Sequence, residues 1–161
     1  MKRLCLTLAS YVVMFGCAAA ALAEGVANLP PIDHPATLKE CGDCHLPFPP
    51  QMLPMRSWRA IISNLADHFG DNATLPDRAR ADIEAYLIAN AADAPGDSFG
   101  QRFLRGISPG ATPLRITATN FWKRAHGEVP AAAFADPRVK TPANCEACHR
   151  NARQGQFGEQ E

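Results

Sequence analysis

Two five-residue stretches, CGDCH at Cys41–His45 and CEACH at Cys145–His149, constrain this chain more than anything else in it. Two thiols three positions apart can add to the two vinyl groups of one haem, and the adjacent histidine is then held beneath the iron as its proximal ligand. The spacing predicts covalent attachment through Cys41 and Cys44 with His45 as fifth ligand, and again through Cys145 and Cys148 with His149. Other chemistries share the CxxC half of the pattern. Redox-active disulfides do not require a histidine directly after the second cysteine, and no βαβ pattern surrounds these. Four thiolates on one zinc, or two plain disulfides, are the remaining alternatives.

The compartment bears on that choice. Residues 1–23 read as a secretory signal: Lys2 and Arg3, an apolar run, then the small-residue site Ala21, Leu22, Ala23 before Glu24. A membrane anchor is the competing reading of the run, but it closes on a cleavage site, and no later segment is apolar enough to span a bilayer. Cleavage leaves 138 of the 161 residues, enough for one domain or two small lobes. Cys5 and Cys17 leave with the signal, so every mature cysteine belongs to a CxxCH motif. That accounting, behind an export signal, favours haem over the disulfide and zinc readings. Of 16 basic residues Lys2 and Arg3 are removed, so 14 face 16 acidic ones, a net charge of −2 that argues against a nucleic-acid partner.

With His45 and His149 as fifth ligands, the sixth position of each iron falls to a histidine, a methionine or nothing. The remaining histidines are His34, His68 and His126, and the mature methionines are Met52 and Met55. RSWRAIISNLADHFG, Arg56 to Gly70, places Trp58, Ile61, Ile62, Leu65 and Phe69 on one face of an expected helix that Gly70 ends. His68 falls at the margin of that face, where a ring can lean over a haem packed on the apolar stripe. Met52 and Met55, in the proline-rich PPQMLPM, are its rivals.

A second helix follows Pro76 and Asp77, with Ile83, Tyr86 and Leu87 on its apolar face. NAADAPGDSFG then reads as a linker or long loop, which sets an N-terminal haem lobe at 24–95 and a C-terminal lobe at 96–161. In the second lobe ITATNFWKRAHGEVP gives a short helix capped by Thr117 or Thr119, with Trp122 and His126 four apart on one side. His126 lies 23 residues before His149, as His68 lies 23 after His45. His34, in IDHPA, reads as a surface loop residue.

CGDCHLPFPPQMLPMRSWRAIISNLADHFGDNATL, together with ITATNFWKRAHGEVP and VKTPANCEACHRNARQGQF, resembles the bacterial periplasmic dihaem cytochrome c family. The resemblance runs from about Leu38 to Phe157 and includes stretches that carry no ligand, such as RSW and DHFG. It implies a mainly α, loop-rich fold with two c-type haems, each ligated by two histidines: His45 with His68, and His149 with His126. It also implies a periplasmic location and electron transfer with a small oxygen-binding monohaem cytochrome or a membrane b-type cytochrome. Methionine at 52 and 55 departs from the pattern and keeps both in play as sixth ligands of the first haem.

An iron with two strong protein ligands has no open position, which favours electron transfer over catalysis. Two nitrogen ligands also give a lower potential than histidine with methionine. The expected protein is thus a redox carrier and not an enzyme, with four haem propionates taking its charge toward about −6 and favouring a partner with a basic face. The alternative is a haem-dependent sensor or peroxidase-like enzyme with one labile axial ligand.

Overall fold

The computed structural model describes residues 28–158, so the export signal expected over 1–23 lies outside the described residues. Within these described residues six short α-helices are joined by 3₁₀ turns and loops: α1 Pro35–Gly42, α2 Met55–Ser63, α3 Asp77–Ala89, α4 Gln101–Leu104, α5 Asn120–Ala125 and α6 Ala131–Phe134. Among the described residues the only β features are isolated bridges, Asn28 to Gln156 and His68 to Asp71. The fold is mainly α and loop-rich, as expected. No helix among the described residues is long and apolar enough to cross a membrane.

α2 and α3 form the principal helix pair, with α1 packed on α3. Trp58, Ile62 and Leu65 meet Ile83 and Leu87 in one core cluster, joined by Leu53 and Ala91. Burying each of the larger aliphatic chains contributes roughly 1.5–3 kcal/mol. The prolines ahead of α2 are structural. Pro50 and Pro54 are fully buried, and the Pro50 carbonyl accepts the Trp58 indole N–H at 2.7 Å. Pro54, in extended backbone, turns directly into α2.

α2 stops earlier than the 56–70 periodicity predicts. It ends at Ser63, and Asn64 leaves the helical region with φ −122° and ψ 37° before a single 3₁₀ turn over Leu65–Asp67. Asn64 competes with the helix by donating from its side chain to the Asp67 carbonyl at 3.2 Å. The break keeps Leu65 in the core but releases Phe69, which is 45% exposed and left-handed at φ 59°. Phe69 is therefore not part of the buried stripe.

The stretch expected as a linker or long loop is turn-rich and exposed over Pro95, Gly96, Ser98 and Phe99, but its first part is buried. Ala91, Ala92 and Ala94 are core residues, and the Ala92 N–H donates to the Leu53 carbonyl at 3.0 Å. Their small side chains let this turn-rich segment run against α2's approach. A second core cluster gathers Leu29, Met52, Ala92 and Phe103, with Phe121 and Phe157 against it, so its members come from both halves of the chain. Leu29 donates to the Gly155 carbonyl at 2.8 Å. Gly155 is left-handed at φ 76°, and a Cβ there would run into the Leu29 carbonyl oxygen, so both its backbone and its neighbour require glycine.

Candidate haem-binding site

α1 delivers the first cysteine pair. Its N-terminus is capped by His34, whose Nδ1 accepts the Thr37 N–H at 3.3 Å, and whose ring stacks on Tyr86 at 4.6 Å. His34 is thus a helix cap locked against α3, a role its proline-flanked setting hid. Cys41 lies on the last turn of α1 and is half-buried, while Cys44, just beyond it, is exposed. Cys145 and Cys148 repeat that contrast around a 3₁₀ turn. Burial pushes the Cys41 thiol up to about 11, with Glu40 adding to the shift, and pushes the Cys145 thiol up to about 11 as well. The four described cysteines are unpaired thiols. Among the described residues no three His, Cys, Asp or Glu side chains converge, so the two motifs do not form one tetrahedral zinc site.

Each CxxCH histidine faces a second imidazole. The His45 and His68 ring centres are 6.1 Å apart with planes 16° from parallel. Those of His126 and His149 are also 6.1 Å apart, but with planes at 87°. A metal–imidazole bond of about 2.0–2.1 Å, plus ~1.1 Å from ring nitrogen to ring centre, puts two trans imidazoles about 6.3 Å apart. Both pairs therefore leave the gap that one iron between two rings needs.

The ring tautomers suit such an iron. Nδ1–H donates to a backbone carbonyl in three of the four histidines: His45 to Leu46 at 2.6 Å, His126 to Trp122 at 2.9 Å and His149 to Gly158 at 3.2 Å. A carbonyl can only accept, so in the neutral ring the proton sits on Nδ1 and the Nε2 lone pair is free for a metal. His68 is held through its backbone instead. Its N–H donates to the Asp71 carbonyl at 2.7 Å, and Asp71 returns a bond to the His68 carbonyl at 3.2 Å.

Local structure explains why these rings sit where they do. α5 is capped by Thr119, whose hydroxyl accepts the Trp122 N–H at 3.2 Å, and His126 closes the helix as its C-terminal cap. Trp122 stacks flat on His126 at 4.3 Å and fixes its ring plane. Phe48 stacks on His45 at 5.0 Å. Burial, with His45 beside it, holds the His68 imidazole below its ordinary range; burial, aided by His149, does the same to His126.

A cavity of about 1100 Å³ is lined by residues of both motifs, among them Cys41, His45 and Cys145, and by His68 and Trp122; His126 and His149 do not line it. Trp58 lines it as well. Neither methionine does: Met52 is buried in the second core cluster, and Met55 packs against the first.

One contributor was not visible in the sequence. Asp93 accepts the Met55 N–H at 2.6 Å and faces the Arg56 guanidinium at 3.6 Å, so it anchors the start of α2 from 38 residues away. No local pattern marks such a cap; Asp between alanines in a turn-rich run was its one trace.

Residues 37–157 match the protein family described as dihaem cytochrome c. Among solved structures the chain is similar to a diheme cytochrome c from Rhodobacter sphaeroides, with 40% identity and a TM-score of 0.74 over 80% of this chain and all of that one. A second structure, of DHC purified from Rhodobacter sphaeroides, matches at 38% identity and TM-score 0.67 over the same shares. A diheme cytochrome type c from Shewanella baltica matches at 35% identity and TM-score 0.63, over 78% of this chain and 87% of that one. Among curated proteins none matches.

Proposed function

The chain belongs to the dihaem cytochrome c family and so carries two covalently bound haems, and we propose that it is an exported, periplasmic electron carrier in which every haem has two histidine ligands. Cys41 and Cys44 hold the first haem by thioether bonds, with His45 and His68 on its two faces. Cys145 and Cys148 hold the second, with His149 and His126. The observation that carries this reading is the pair of 6.1 Å gaps between facing imidazoles, one at each motif.

The bound iron supplies a one-electron couple between ferric and ferrous states. The residues decide how that couple is used. Two imidazoles per iron leave no position for a substrate, and the backbone carbonyls of Leu46, Trp122 and Gly158 hold the rings in the ligating tautomer. Nitrogen on both sides keeps the potentials below those of a histidine–methionine pair. Trp122, flat against His126, restricts ring rotation and limits rearrangement when the charge changes.

The partner is another redox protein: a small oxygen-binding monohaem cytochrome or a membrane b-type cytochrome. Ionised propionates added to a mature charge of −2 favour a basic docking face and a salt-sensitive, transient encounter. Absorption spectra test the carrier reading. Six-coordinate low-spin bands from both haems in both redox states support it, and a high-spin ferrous form that takes up carbon monoxide readily would replace it with a sensor or enzyme.

A further inference from the structure

The cavity wall carries a cation that forms no ion pair with a carboxylate among the described residues. Arg115 lines the cavity, and its guanidinium carbon sits 4.1 Å from the centre of the Phe69 ring. No Asp or Glu pairs with it among the described residues. Arg153, on the same cavity, is by contrast tied to Glu146 through two bonds of 2.7 and 3.0 Å.

The platform beneath Arg115 is held in place at some steric cost. Phe69 adopts φ 59°, a region that residues with a Cβ avoid. A tight turn enforces it: the Phe69 N–H donates to the Asp67 carbonyl at 3.1 Å, and the Gly70 N–H to the Asp67 carboxylate at 3.1 Å. The turn sets the Phe69 ring edge-on to His68 at 4.9 Å, so one aromatic ring touches both His68 and the guanidinium.

We infer that Arg115 is a positioning charge that raises the reduction potential of the haem held by His45 and His68, supplied to the first site by the second half of the chain. The inference rests on the ligation proposed above. A ferric iron bears one more positive charge than a ferrous one, so a fixed cation nearby disfavours the oxidised state. Asp71, whose backbone is bonded to that of His68, carries the opposite charge and so acts in the opposite sense. The second haem, at the other motif, is the internal reference.

A spectroelectrochemical titration of the holoprotein tests this, with the His68→Ala variant identifying which potential belongs to the first haem. Arg115→Gln should lower the equilibrium constant for reducing that haem about three- to tenfold, the upper limit being 59 mV for a one-electron couple. Both haems should stay low-spin and the second potential should hold. Arg115→Lys, which keeps the charge, should remain near the wild type. Potentials that do not move in Arg115→Gln, or that fall together, would overturn the inference while leaving the ligation intact. Unchanged low-spin spectra in His68→Ala would overturn the ligation itself, and this inference with it.

Discussion

His68 lies beyond the end of α2, in a one-turn loop closed by Asp71, and from there its ring faces that of His45 at 6.1 Å with planes 16° apart. The loop, not the helix, sets the distance. Replacing His68 with alanine should turn one of the two haems high-spin and raise its potential, because a nitrogen ligand that stabilises the ferric state is lost. Absorption spectroscopy with a redox titration reads both, and two haems still low-spin would reject His68 as a ligand.

The two ring pairs differ in a way that electron paramagnetic resonance detects. Parallel imidazole planes act on the same iron d orbital and split it from its partner; perpendicular planes act on both equally. The 16° pair should give an ordinary rhombic low-spin ferric signal, and the 87° pair a strongly anisotropic one with a larger maximum g value. His126→Ala should abolish the anisotropic signal alone. Two identical rhombic signals would contradict the geometry.

Acid should release the ligands late. Burial lowers the proton affinity of His68 and His126, so each folded-state imidazole stays neutral to a lower pH than its unfolded counterpart, near 6.5. Stability from the neutral rings is present above that value and is lost as the pH falls through the lower folded-state values. Low-spin absorbance should therefore persist as the pH is taken through 6.5. Loss of one haem's low-spin bands at or above that pH would contradict it.

Asp93 offers a test of the scaffold apart from the haems. Asp93→Ala removes the acceptor of the Met55 N–H at the start of α2 and should cost about 1–2 kcal/mol in denaturant unfolding. Haem content and low-spin bands should be retained. An unchanged midpoint would mean that the proline-rich approach alone fixes α2.

Much of this was legible because its chemistry is local. A CxxCH motif carries its function in five consecutive residues, and His68 became a candidate ligand because few histidines and methionines remained, whereas the pairing of His126 with His149 came from the family resemblance. Thr119 showed itself as one of two candidate caps. What stayed hidden depends on contacts between distant segments. Periodicity extended α2 to Gly70 because it cannot register a side chain such as Asn64 competing for the backbone, and it put Phe69 in the core for the same reason. The alanines at 91, 92 and 94 looked like linker because small residues and turns mark both exposed loops and close packing. The packing of Met52 against Leu29 and Phe103 was hidden as well, because it joins three distant segments of the chain. Arg115 offered no sequence signal, since its place over Phe69 joins residues 46 apart.

Near-infrared magnetic circular dichroism of the fully oxidised protein tests the central claim most directly, because its charge-transfer band reports the pair of axial ligands on each low-spin ferric haem. Two haems per chain, both with the band of nitrogen–nitrogen ligation, are predicted. A methionine–histidine band, or a high-spin band from either haem, would contradict the pairing of His45 with His68 and His149 with His126.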